Sequence, residues 1–291
     1  MAKDILWRNY DKAGLDAQFT LDTITDLPGE QKRRLDAAAA ARAAHRHVRR
    51  VPYGPGPEAK MDIFYHDTGK AGPIHMFIHG GFWMGMDATT FSFAASAFVP
   101  FGATVAVIDY PVIPNVRMGD IFEHVKQAIA FLYKHGADHG GDPNRIFVAG
   151  HSAGAHMLAL AMDPTWQAAM GLPANVVKGG CAISGVYELT PLTLSFQRDP
   201  LGLTAEEVTK FSPLHHLPKA AGPMIMTVGG FETQEFVDQT LEYAKAWREA
   251  GLKEETIVVA QANHISVLTD GYATHGAALH SAVLRQMGIG G

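Results

Sequence analysis

The chain has 291 residues, 47% hydrophobic and 18% charged, a make-up suited to a globular protein with a large core and not to a disordered chain. Its formal net charge of −5, with 24 lysines and arginines against 29 acids and no long basic run, excludes a nucleic-acid-binding face. The single cysteine, Cys181, excludes an internal disulfide framework and a cysteine-rich zinc site.

In chain order, Met1–Asp4 lacks the apolar core of a signal peptide, and no apolar run reaches the roughly 20 residues of a membrane span. The reading is a cytoplasmic protein that does not meet a membrane. Residues 30–50 are rich in Ala and Arg with no Gly or Pro, which predicts a helix whose arginines lie on a solvated face. Residues 1–50 are expected to form an N-terminal helical segment belonging to a cap, and 51–291 the main domain.

From residue 60 short β-rich runs alternate with helical ones. Strands are predicted over Met61–His66, Ile74–Ile78, Thr104–Ile108, Arg145–Ala149, Val176–Ile183, Met224–Val228 and Thr256–Ala260. Helices are predicted over Met118–His135, Ala153–Met162, Phe236–Ala250 and His275–Met287. Several strands are continuous apolar runs, as expected of strands covered on both faces. Alternating strands and helices imply an α/β fold with a mostly parallel central sheet and helices on both faces. Residues 187–221, with Pro191, Pro200, Pro213 and Pro218 and a helical piece near Ala205–Lys210, break the rhythm. They read as a cap-like excursion over the strand C-termini, where ligands bind in such sheets.

Gly150-His151-Ser152-Ala153-Gly154 falls between a predicted strand and a predicted helix. That setting turns a weak Gly-x-Ser-x-Gly pattern into a nucleophile elbow with Ser152 at its tip. No Walker loop or dinucleotide fingerprint competes for the turn. His79-Gly80-Gly81-Phe82-Trp83 follows the strand Ile74–Ile78. The amides of Gly80, Gly81 and Ala153 are the expected oxyanion donors. His79 is expected to hold the loop backbone, while Phe82, Trp83 and His151 are candidate pocket residues. A serine nucleophile needs a base oriented by an acid, in the chain order Ser, Asp or Glu, His. Of the later histidines, His264 alone directly follows a strand. After Met224–Val228 come Glu232 and Glu235, and Glu232, nearer the strand end, is the expected acid with Glu235 as the alternative.

Taken together, the His79–Trp83 and Gly150–His156 motifs, Glu232-Thr233-Gln234-Glu235-Phe236 and Asn263-His264 resemble the kynurenine formamidase (arylformamidase) and bacterial carboxylesterase branch of the α/β-hydrolases. The similarity runs over roughly residues 60–290, and Tyr10–Asp16 also resembles the opening of bacterial members. The resemblance implies the α/β-hydrolase fold with a small helical cap, and a triad of Ser152, His264 and Glu232. Glu232 stands where the animal formamidases carry Asp, and Ile265-Ser266 stands where the formamidases often carry Phe-Asp. The expected activity is hydrolysis of a small-molecule ester or N-formyl arylamide through an acyl-enzyme, without metal or cofactor. Two other readings stay open: action on a different small metabolite, and a non-catalytic ligand-binding protein on the same fold. The expected partner is a small-molecule substrate, with a homodimer left open because no interface is legible.

Overall fold

The computed structural model describes residues 4–290, so Met1–Lys3 of the leader reading lie outside the described residues. In chain order the elements are α1 (Lys12–Gln18), α2 (Leu27–Ala44), β1 (His47–Pro52), β2 (Lys60–Phe64), β3 (Gly72–Ile78), α3 (Phe93–Phe98), β4 (Thr104–Ile108) and α4 (Met118–His135). There follow β5 (Gly141–His151), α5 (Ala153–Ala161), α6 (Thr165–Ala169), β6 (Val177–Ile183), α7 (Thr190–Leu194), α8 (Arg198–Leu201), α9 (Ala205–Phe211), β7 (Met224–Gly229), α10 (Gln234–Glu249), β8 (Glu254–Val259) and α11 (Ala278–Met287). A π-helical segment, Val267–Tyr272, lies between β8 and α11.

The strands make one sheet in the order β1-β2-β4-β3-β5-β6-β7-β8. β2 runs antiparallel to β1 and β4, and the pairs from β4 to β8 are parallel. Alternation along the strands sorts the core into two layers. Ile74, Met76, Ile78, Ile146 and Val148 face a layer built with α4, α5 and α10. Phe77, Val105, Val107, Phe147 and Ala149 face the opposite layer, built with α3 and α11. With both faces covered, the strands can be apolar throughout, which is why they read as unbroken runs. All the parallel strands end on one edge, and the loops after β3, β5, β6, β7 and β8 meet there.

Two differences from the sequence reading have local causes, and a third is a shift of one boundary. The helix predicted over 30–50 stops at Ala44, because residues 47–52 pair antiparallel with β2 and pairing outweighs propensity. α3 is six residues long and apolar apart from Ser96, so it shows no helical periodicity to detect. The helix predicted from His275 begins at Ala278. Among the described residues no helix is long and apolar enough to cross a membrane.

Burial holds several histidines neutral. Desolvation pushes His75 down to about 3, and His79 and His156 down to about 4. The unfolded chain protonates its histidines near pH 6.5, so between that pH and about 4 it binds more protons than the fold and stability falls with pH. By pH 4.5 each of these groups is expected to cost on the order of 2–3 kcal/mol. Tm followed from pH 7 to 4.5 should drop steadily, and a flat profile would contradict the buried, uncharged state.

Candidate active site

The turn between β5 and α5 is closed by sterics. A Cβ at Gly154 would lie 2.0 Å from the Ile78 oxygen, and one at Gly150 would lie 2.2 Å from the Gly154 oxygen. Only hydrogen fits at either position. Between them Ser152 takes φ 55° and ψ −118°, a conformation L residues rarely adopt and one that surrounding contacts must enforce. One such contact is the Ser152 N–H, which donates to the Ile183 oxygen at 2.8 Å and ties the turn to the end of β6. The hydroxyl thus stands at the first turn of α5, where the helix dipole favours developing negative charge.

Two strands further along the sheet, β7 ends at Gly229 and the chain turns to present Glu232. Its Oε1 accepts from the Gly229 N–H at 2.7 Å and from the Ser184 hydroxyl at 2.5 Å. Its Oε2 lies 2.6 Å from Nδ1 of His264. The carboxylate side chain is fully enclosed and the imidazole 9% exposed, so water does little to screen the pair. Glu235 points elsewhere, accepting from Trp7 Nε1 at 3.1 Å, Arg8 Nε at 2.9 Å and Gln239 Nε2 at 2.9 Å. Burial raises its carboxyl above the ordinary range, against the pull of these donors.

The loop that carries His264 is fastened to the elbow. Nε2 of His151 donates to the His264 backbone oxygen at 2.8 Å, and the two rings lie 4.6 Å apart. Since a carbonyl only accepts, the proton of the neutral His151 ring is on Nε2. Burial, with the neighbouring His264 ring second, holds this ring well below the usual histidine range. The hydrogen bond of the His264 ring runs to Glu232, and among the described residues none joins it to the Ser152 hydroxyl. Such contacts commonly tighten only once substrate is bound.

The third component is the glycine loop after β3. A Cβ at Gly80 would lie 3.0 Å from the His151 oxygen and 3.2 Å from Cβ of Ser152, so the loop backbone presses directly on the elbow. Gly81, Phe82 and Trp83 then take φ values of 113°, 51° and 58°, turning the chain away from the sheet. Among the described residues the N–H groups of Gly80, Gly81 and Ala153 donate to no protein acceptor. Backbone amides at a strand tip and at a helix N-terminus are the donors an oxyanion requires. His79 braces the loop: its Nδ1 lies 2.8 Å from the Gly80 oxygen, its ring stacks 4.2 Å from Tyr110, and the Tyr110 hydroxyl donates to the His79 oxygen at 2.7 Å.

Residues 61–170, which contain both the glycine loop and the elbow, match the family described as BD-FAE. A kynurenine formamidase of Danio rerio is 26% identical over 274 residues, covering 92% of this chain and 91% of that protein. A protein of Oryza sativa named as a probable isoprenylcysteine alpha-carbonyl methylesterase is 32% identical over 188 residues, covering 57% of this chain and 43% of that protein. Among solved structures, one from Silicibacter sp. TM1040, provisionally named a thioesterase, superposes with a TM-score of 0.79 at 25% identity, covering 92% of this chain and 97% of that one. The chain has the α/β-hydrolase fold and is similar to formamidases and esterases.

In this hydrolase two residues expected in the pocket wall lie elsewhere. Trp83 is fully buried with its ring 5.0 Å from His156, edge to face, and so it packs beneath the glycine loop. His151 is 3% exposed and spends its one N–H on the His264 carbonyl. Phe82 is half-buried at the edge of the loop. The segment after α1 lies against the loops that carry Glu232 and His264. Thr20, Leu21, Thr23 and Ile24 lie against Phe231, Glu232, Phe236 and His264, leaving a space of only about 10 Å³. The preceding α1 is held to the acid loop, with Thr233 Oγ1 donating to the Gln18 oxygen at 2.6 Å and the Glu235 N–H to Gln18 Oε1 at 3.0 Å. In the excursion, α7 packs on α1 and α9 on α4.

A groove of about 1000 Å³ lined by Phe122, Leu160, Trp166 and Phe211 lies at the opposite end of α5. Leu160 is about 10 Å along the helix from Ala153, so size alone does not mark the chemistry. Among the described residues no group of three or more His, Cys, Asp or Glu side chains is disposed to hold a metal ion. Sequence reasoning missed Ser184, which is fully buried at φ 52°. The available signal was its place, directly at the end of a central parallel strand on the ligand-binding edge.

Proposed function

We propose that the chain is a serine hydrolase that cleaves a small-molecule carboxylic ester or N-formyl arylamide through an acyl-enzyme. The observation that carries this reading is the enclosed Glu232–His264 pair, 2.6 Å long, fastened at the His264 backbone oxygen by His151, the residue before Ser152. In the proposed sequence His264 takes the Ser152 proton as the hydroxyl oxygen bonds to the substrate carbonyl carbon. The carbonyl electrons move onto oxygen, which the amides of Gly80, Gly81 and Ala153 receive. Collapse of this tetrahedral species breaks the bond to the alcohol or arylamine, which leaves with the proton from His264. Water then repeats the cycle and releases the acid. Residues 4–44 and the excursion at 187–221 serve as the cap that shapes the substrate space. The formamidase and methylesterase relatives support both substrate classes, a formyl amide and a simple ester.

Labelling with a fluorophosphonate should modify Ser152 alone, read by peptide mapping, and labelling elsewhere or not at all would refute the assignment. Rates on short-chain p-nitrophenyl esters and on N-formylkynurenine, compared on one preparation, separate esterase from formamidase selectivity.

Ser184 acts in this reading as a positioning residue, since its hydroxyl fills one lone pair of the acid. Ser184→Ala keeps a Cβ at the same φ and removes only that donor. It is expected to lower kcat about 10-fold, the worth of one hydrogen bond to a charged group, with KM little changed. A kcat equal to wild type would show that Gly229 alone orients the carboxylate.

A further inference from the structure

The arginines of α2 were expected on a solvated face, and most have carboxylate partners. Arg33 pairs with Glu30 and Asp270, and Arg42 with Asp62 at 2.7 Å. Arg34 differs. It is 4% exposed, and among the described residues it forms no ion pair. Its Nε is buried with no hydrogen-bond partner. Nη2 reaches only the Met86 thioether, at 3.5 Å, and the guanidinium carbon lies 4.7 Å over the Phe91 ring. The nearby acid Asp87 uses Oδ1 to cap the amide of Thr90 at 3.0 Å. A ring and a thioether offset little of the cost of taking a cation out of water. The fold therefore holds a positive charge with no carboxylate in direct contact, Asp87 acting on it only from a distance.

The position of that charge is informative. Phe91 stacks on His79 at 5.8 Å and lies 6.5 Å from the His151 ring. The Arg34 charge is felt at both histidines, lowering each. Met86 packs so closely on the glycine loop that a Cβ at Gly81 would lie 2.8 Å from its Cγ. One turn earlier on α2, Glu30 accepts from Nδ2 of Asn263 at 3.4 Å, beside His264. Thus α2 bridges the glycine loop and the histidine loop, with the unpaired guanidinium on the glycine-loop side. Its cover, Met86, is 46% exposed and has an unbranched side chain that swings aside easily.

We infer that Arg34 is a specificity-determining residue that pairs with a carboxylate carried by the ester or amide substrate, away from the bond that is cleaved. The inference rests on the proposed serine-hydrolase reading of the same site. A planar guanidinium whose Nε has no partner and whose Nη2 meets only a thioether matches a carboxylate, and in an enclosed site that pairing is strong.

The test uses two matched pairs of substrates on the full-length protein. Phenyl acetate and 4-carboxyphenyl acetate place the carboxylate on the leaving group. p-Nitrophenyl butyrate and p-nitrophenyl hydrogen succinate place it on the acyl group. Wild type should favour the carboxylate-bearing member of one pair in kcat/KM, and which pair it is locates the carboxylate. Arg34→Met, of similar length but neutral, should reduce that selectivity ratio about 100-fold, chiefly through KM. Arg34→Lys should restore part of it. Absence of preference in both wild-type pairs, or an unchanged ratio in Arg34→Met, overturns the proposal. Should Arg34→Met fail to fold, the wild-type preference and Arg34→Lys decide it. Failure of the underlying reading would show separately, as turnover of phenyl acetate that survives Ser152→Ala.

Discussion

Ser152→Ala is expected to lower kcat/KM on a short-chain ester by about 10⁴-fold or more and to leave the fold intact. Two features favour so clean a result. The substitution keeps a Cβ, so the strained φ of 55° is neither relieved nor worsened. The elbow is held by its backbone, through the Ser152 N–H to Ile183 and the close approach of Gly154 to Ile78, and neither contact uses the hydroxyl. Activity measured alongside a thermal melt checks both halves. A variant with normal Tm and wild-type turnover would remove the serine from the chemistry. A variant that unfolds would mean the hydroxyl supports the turn.

Glu232→Gln should cost nearly as much, about 10⁴-fold in kcat, by the same route as the aspartate-to-asparagine change in a serine protease triad. The two donors at Oε1, Ser184 and the Gly229 amide, fix which way a glutamine must point. Its carbonyl oxygen has to face those donors, leaving the NH₂ group toward Nδ1 of His264. A donor there forces the imidazole to present an unprotonated Nδ1 and to carry its proton on Nε2, the atom that must accept from serine. Glu232→Asp retains the charge but draws the carboxylate back by one methylene from an imidazole now 2.6 Å away, so an intermediate loss is expected. Equal activity in Glu232→Gln and wild type would show that the imidazole needs no acid.

Much of the placement was legible in the sequence, and the limits have physical causes. α4 was readable from end to end because its apolar residues repeat at helical spacing over 18 residues. The elbow was readable because strand, glycines and helix are contiguous. That Glu232 and His264 come together was expected from chain order, since the turns after β7 and β8 reach the same sheet edge as β5. Glu232 and Glu235 were distinguishable only by nearness to the strand. What separates them is a long-range fact, the hold of Trp7 and Arg8 on Glu235 from more than 220 residues away. Ser184 and Arg34 were hidden for the same reason, because their meaning lies in neighbours that no local pattern announces. Trp83 was ambiguous for a different reason: an aromatic residue after a glycine loop can turn in or out, and burial beside His156 decides it.

The bond from the His151 ring to the carbonyl of His264 ties the turn after β5 to the loop after β8. Adjustment to an incoming molecule is thereby left to side-chain rotation at Ser152 and to the covering segments, of which the excursion is itself tied to α5 by the His156 ring on the Phe211 oxygen at 2.6 Å. Divergence in what this scaffold accepts is accordingly expected to accumulate in α1, α2 and the excursion, while the chain around His264 stays fixed.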